Sequence, residues 1–276
     1  MSLVYFITSL PHLSAHDLGD GRPVPIDRRT FARRAREVLE GRAREQFELL
    51  MLLEEVDETS RVIAQTTAED PEVSAGTLTT RLRTTRERWD LAPPLDTLPD
   101  WVLLPLPRHV QLRRCYQHYY DHGGRFLRGW ARFAVDLEEV MSALVMQQEH
   151  LSADHLAAQM EGRFDSSSAV IARHHHQPDL GLGRRFPWMP IVVEALAHPD
   201  RGTGERMLDR LRLSQLDALM GTELFSVETV LGSYLRLTLL ERHASWDADV
   251  GAERLASLLA HATGTSAPDV PARSST

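Results

Sequence analysis

Apolar residues recur at alternating steps of three and four along Phe126, Trp130, Phe133, Leu137, Val140, Met141 and Leu144, which is one buried face of an α-helix with the opposite face in water. The same period runs through Phe31, Ala35, Val38 and Leu39, through Phe47, Leu50, Met51 and Glu54, and through Leu208, Leu211, Gln215, Leu216 and Leu219. Nearer the C-terminus, Ser226 stands as an N-cap before Val227, Val230, Leu231, Tyr234, Leu235 and Thr238, and Leu255, Leu258 and Leu259 predict a final short helix. Only Leu3 to Ile7 reads as extended, followed by an irregular lead-in through Pro11 and Asp20 to Ile26. The pattern predicts an all-α fold, a helical bundle of two or three lobes with a short extended N-terminal segment.

Five prolines, Pro93, Pro94, Pro99, Pro105 and Pro107, forbid a long continuous helix where they fall, because each lacks an amide donor and restricts its predecessor. The expected organisation is an N-terminal helical lobe over 1–92, a proline-rich connection over 93–107, a C-terminal helical lobe over 108–262 and a disordered tail over 263–276. Gly123 and Gly124 should break or kink the helix entering the second lobe, and Gly162 to Pro187 reads as a long polar connection.

Composition narrows the function. The 276 residues include 31 Lys plus Arg, and every one of these is arginine. Chemistry that requires an amine is therefore absent, including the lysine of a phosphate-binding loop and a Schiff-base lysine. A net charge of −8 argues against a general nucleic-acid coat. The single cysteine, Cys115, closes no intrachain disulfide and builds no structural zinc site. No uncharged apolar run reaches the length that crosses a bilayer, and the first residues lack the basic flank of a signal peptide, so a cytoplasmic chain is expected.

Each candidate site has a plainer reading beside it. Arg173 and His174 to His176 include three adjacent imidazoles, which cannot all point at one ion from a regular element; a solvated loop fits better. His118 and His122 share a helical face at the spacing of zinc sites, yet HYYDH lacks the glutamate of HExxH and Gly123 follows at once, so surface histidines are the simpler reading. Arg28, Arg29, Arg33, Arg34, Arg36, Arg42 and Arg44 are interleaved with Glu37, Glu40 and Glu45, and with Arg81, Arg83, Arg86 and Arg88 they read as solvated helix faces. Gly202 and Gly204 precede a helix where an anion could meet free amides, but two glycines also make an ordinary helix start. Glu205 and Asp209, beside Arg206, Arg210 and Arg212, predict an ion-pair network sooner than an acid/base pair. There is no GxSxG elbow and no catalytic Cys–His signature. No catalytic, cofactor-binding or metal-ligating residue is assigned, and no enzyme is expected.

Several segments, in order along the chain, resemble an uncharacterised bacterial family encoded in V/A-type ATPase operons. They are Tyr5 to Leu13 (YFITSLPHL), Leu98 to Val102 (LPDWV), Phe126 to Trp130 (FLRGW), Asp179 to Leu182 (DLGL), Glu205 to Asp209 (ERMLD) and Phe225 to Val230 (FSVETV), with Tyr234, Leu235 and Leu240 to Arg242 following. Arg61 and Arg173 depart from the pattern. In those operons the family takes the place of the rotor coupler, which is the C component of V/A-type enzymes and the d component of eukaryotic ones. The resemblance implies a helical fold like that coupler's, a funnel of three similar units, and a non-catalytic role joining the central stalk subunits to the membrane rotor ring. A faint internal echo accompanies it, with Leu53 to Asp57, Phe133 to Asp136 and Leu224 to Glu228 each leading into a further apolar cluster. The expected partners are the stalk and the ring, with no nucleic acid, no cofactor and no membrane insertion. The expected place is the cytoplasmic face of the membrane, peripheral through protein contacts. The other class left open is a helical scaffold or regulator unrelated to the rotor, or a hydrolase assembled from scattered Asp, Glu and His.

Overall fold

The computed structural model describes residues 2–11, 24, 26–70, 72–86, 99–104, 106, 108–150 and 168–244. These residues are helical with no strand among them: α1 (Leu3–Ser9), α2 (Arg28–Val38), α3 (Gly41–Glu69), α4 (Ala75–Arg86), a 3-10 turn (Asp100–Leu103), α5 (Arg108–His122), α6 (Arg125–Gln148), α7 (Ser168–His174), α8 (Met189–Ala197), α9 (Arg201–Met220) and α10 (Val227–Ala244). The expected terminal helix through Leu255 to Leu259 and the tail over 263–276 lie outside the described residues.

The extended stretch expected over Leu3 to Ile7 is corrected to helix α1. Ser2 caps it by accepting from the amide of Tyr5 at 3.3 Å. Leu3, Phe6, Ile7 and Leu10 fall on one helical face, and Phe6 meets the Phe31 ring edge-on at 5.4 Å. Burial of that face outweighs the strand preference of Val4, Tyr5 and Ile7.

Asp27 starts α2 by accepting from the amide of Thr30 at 2.9 Å, which keeps its carboxyl below the usual carboxylate range. Phe31 of α2 and Phe47 of α3 each pack on Tyr234 of α10 at 5.6 Å, so α2 and α3 share one aromatic cluster with α10. Helix α3 in turn lies against α5, where the Tyr119 hydroxyl donates to the Leu50 carbonyl at 2.6 Å. Buried side chains from α1, α2, α3, α5, α6, α8, α9 and α10 form a single hydrophobic cluster.

Gly123 and Gly124 separate α5 from α6 as expected, and a Cβ at Gly123 would collide with the Tyr119 carbonyl and with Leu127. In α6 the predicted stripe is the buried face. Ser226 begins α10 as expected, accepting from the amide of Thr229 at 3.3 Å. The polar connection expected over 162–187 is corrected where it is described. Residues 168–187 hold α7 and a series of turns that bury Ile171, Leu180, Leu182 and Phe186. Gln147 at the end of α6 fastens this segment by donating to the carbonyls of His175 and Gln177, the latter at 2.9 Å.

Candidate functional site

The apolar face of α6 is wider than its neighbours cover. Between α3, α5, α6, α9 and α10 it leaves a groove of about 1220 Å³ whose wall is Leu112 and Tyr116 of α5, Trp130, Leu137 and Met141 of α6, and Leu235 and Leu239 of α10. Arginines and acids ring this wall. Arg108 pairs with Asp57 at 2.7 Å, and Arg28, Arg212, Arg242, Glu138 and Glu241 stand around it. The groove lining includes no histidine and no cysteine among the described residues.

Arg28 closes one side. Its amide donates to Glu241 at 2.8 Å, its Nε to the same carboxylate, and its terminal nitrogen to Glu54 at 2.7 Å. One cation thereby ties the start of α2 to α3 and α10. Burial works against the charge of Arg28, but Glu54 and Glu241 outweigh it and hold the guanidinium protonated. Burial also pushes the Glu54 carboxyl upward, opposed by Arg28 and Tyr234, and pushes the Tyr234 phenol upward. A smaller pocket of about 360 Å³ shares Arg28, Asp57 and Glu241 with the groove and adds Glu54, Glu58 and Arg61.

Asp209 is the second anchor. It is fully buried in α9 and accepts from Arg212 at 2.6 Å, from Arg242 and from His243 of α10. The expected network around Asp209 therefore includes Arg212 and extends to a different helix, whereas Arg206 turns to Thr203 at 2.7 Å and to Asp200. A carboxylate sealed in this way holds helices together; a substrate has no route to it.

The remaining candidates are dispersed. The amides of Gly202 and Thr203 are taken by the Asp200 carboxylate, both at 3.1 Å, and Gly204 packs on Ala195. Arg36 makes a two-point bond with Glu48 at 3.0 and 2.7 Å, and Arg44 joins the same carboxylate at 2.5 Å, while Arg29, Arg33, Arg34 and Arg42 face water. Arg81 pairs with Glu69 at 2.5 Å, and Arg83 is exposed. His175 and His176 sit with rings perpendicular at 5.7 Å, and His174 lies against Gly181. His118 and His122 come together at the end of α5 with ring centroids 4.4 Å apart. Burial, and then His122, lowers the proton affinity of His118. Cys115 is buried, and its thiol is pushed up to about 12. No group of three or more His, Cys, Asp or Glu side chains that could hold a metal ion occurs among the described residues. No helix among them is long and apolar enough to cross a membrane.

Residue spacing singled out Asp209 and Arg212 but missed the Arg28, Glu54, Tyr234 and Glu241 cluster. One signal was present, since Glu54 occupies an apolar-periodic position beside Phe47, Leu50 and Met51.

Residues 106–262 match the family model described as a protein of unknown function, DUF2764. The match begins just before α5 and runs through α10, so it includes most of the groove wall. No curated protein and no solved structure matches the chain.

Proposed function

The chain belongs to the DUF2764 family, described as a protein of unknown function, and from the resemblance of its own segments we propose that it is a non-catalytic subunit of a V/A-type rotary ATPase, coupling the central stalk to the membrane rotor ring at the cytoplasmic face. The observation that carries this reading is the ordered resemblance to the operon-encoded family from Tyr5 to Arg242. Two of its segments, Glu205 to Asp209 and Leu240 to Arg242, are joined by the bridge from the half-exposed Arg242 to the buried Asp209, and a third, Phe126 to Trp130, contributes to the groove.

A coupler has to transmit torque without deforming, which calls for helices cross-linked at depth and for broad protein surfaces, on the order of 1,200 to 2,000 Å² or more, in place of a reactive cleft. Asp209 and Arg28 supply such cross-links between α9 and α10 and among α2, α3 and α10. The groove, walled by Leu, Met, Tyr and Trp, has the composition of a surface that receives another protein's helix. A scaffold unrelated to the rotor would use the same rigidity, so the partner decides between them.

The test is capture of stalk and ring subunits on a tagged chain from its own host, paired with ATP-driven ion pumping in a deletion strain. Coupling predicts capture and loss of pumping with ATP hydrolysis by the soluble head retained. Absence of capture together with normal pumping refutes it.

A further inference from the structure

The C-terminal turn of α5 carries chemistry that torque transmission does not use. His118 and His122 lie one turn apart on the same face, with ring centroids 4.4 Å apart and planes inclined by 55°. Two imidazoles that each bind one ion through nitrogen at about 2.0–2.1 Å, and meet at a right angle there, place their centroids about 4.5 Å apart. The pair already has that separation. Right-angled nitrogen donors belong to a tetragonal ion, the preference of Cu(II) and Ni(II), whereas a tetrahedral Zn(II) would spread the rings by roughly 0.7 Å more.

The surroundings favour a cation. His122 ends α5, where the last carbonyls present the negative end of the helix dipole. Asp121 lies beside it, its carboxylate accepting from Gln117 at 2.9 and 3.0 Å. Trp101 of the 3-10 turn meets His118 edge-on at 6.4 Å and closes one side, while His122 is exposed. Arg114, one turn before His118, is exposed and opposes the ion. HxxxH without a glutamate supplies no general base, so water would complete the coordination and no hydrolysis follows.

We propose that His118 and His122 form a site for one divalent transition-metal ion, binding Cu(II) more tightly than Ni(II) or Zn(II). The site is independent of the rotor reading, because it rests on α5 and the Asp100–Leu103 turn alone.

The full chain is titrated with copper(II) sulfate in a non-chelating buffer, with calorimetry for affinity and electron paramagnetic resonance for the number of bound imidazoles. The expected result is one tight equivalent held by two imidazoles. Removing even a group that only supports a ligand costs roughly tenfold or more in metal affinity, so His122→Gln and His118→Gln should each lose at least about tenfold. His176→Gln should lose nothing. His122 is exposed, which keeps His122→Gln folded, and a matching metal-free melting curve checks His118→Gln. A smaller loss in either variant, a single bound imidazole, or a shift of the loss to His176→Gln overturns the proposal.

Discussion

Asp209 of α9 and His243 of α10 meet through Oδ2 and Nε2 at 2.5 Å, where the two side chains expose 0% and 2% of their surface. The same carboxylate accepts from Arg212 and Arg242, so one acid fixes how α9 and α10 pack. A buried ion pair adds little net stability over an apolar substitute, but removing the carboxylate leaves the buried His243 and the largely buried Arg212 without their acceptor, while water takes over at Arg242, whose side chain is 41% exposed, so the cost falls at or below the lower end of about 3–5 kcal/mol. Asp209→Asn is expected to lose stability on that scale in urea unfolding. Arg236→Gln, which breaks a pair with the largely exposed Asp217, should lose under about 1 kcal/mol. Equal losses would remove the structural role assigned to Asp209.

Gly204 brings two effects into opposition. Alanine is the better helix former by about 1 kcal/mol. At this position, however, a Cβ would overlap the main-chain carbonyl of Ala195, where α9 crosses α8, and a backbone group cannot rotate away. Overpacking of that kind costs roughly 1–3 kcal/mol and should win, so Gly204→Ala is expected to melt below the parent protein. Gly202→Ala is the control, since the nearest atom to its Cβ is a side-chain oxygen of Asp200 at 3.5 Å. Its melting temperature should stay close to the parent value.

Cys115 sets a prediction at alkaline pH. Burial pushes its thiol up from 9.0 to about 12, and burial also pushes Tyr116 and Tyr119 upward. Because the folded state keeps protons that the unfolded chain releases, the effect is absent below pH 9 and stability falls as pH rises from there toward 12. Each such group adds a slope of up to about 1.4 kcal/mol per pH unit. Urea midpoints measured between pH 8 and 10.5 should fall, and less steeply in Cys115→Ala. At pH 8 the native protein should not react with a thiol reagent, and the unfolded chain should take up one equivalent.

The helices that apolar spacing located were those whose burial follows a helical period. Phe126 to Leu144 was legible because each position of that stripe faces the core or the groove. Helix α1 was not, because Val4, Tyr5 and Ile7 are strand-formers and the deciding contact, Phe6 on Phe31, spans 25 residues. Leu180, Leu182 and Phe186 are buried from turns and follow no period, and Ile171 sits in a helix of only seven residues, so their segment read as polar linkage. The site was half visible for a related reason. Asp209 and Arg212 share a helix turn and could be paired by spacing, whereas Arg242 and His243 reach Asp209 from 33 and 34 residues away. Glu54 is an acid on an apolar stripe that the spacing counted without singling it out, and only the packing of α2 and α10 onto α3 supplies Arg28 and Tyr234 as its partners.

Trp130 provides the most direct test of the groove. It is 5% exposed, lies tilted against Phe133 at 5.7 Å, and through Phe133 reaches Trp188 at 6.0 Å, which stacks on Phe186 at 4.7 Å. This aromatic series joins α6 to the turn before α8. Truncating so large a side chain should cost about 3–5 kcal/mol in Trp130→Ala. The indole Nε1 is buried with no hydrogen-bond partner, an arrangement that costs about 1–3 kcal/mol in the folded state. Trp130→Phe discards that unpaired donor together with one ring, and the two effects oppose each other. It should therefore retain most of the stability that Trp130→Ala loses, with a net change within about 1–2 kcal/mol. Thermal and urea unfolding of both variants checks this. If Trp130→Ala melts within a degree or two of the parent protein, Trp130 is not a core residue, and its role would be contact with whatever enters the groove. If Trp130→Phe is as damaging as Trp130→Ala, the indole nitrogen has a partner that holds it, and the groove wall is more polar than its side chains suggest.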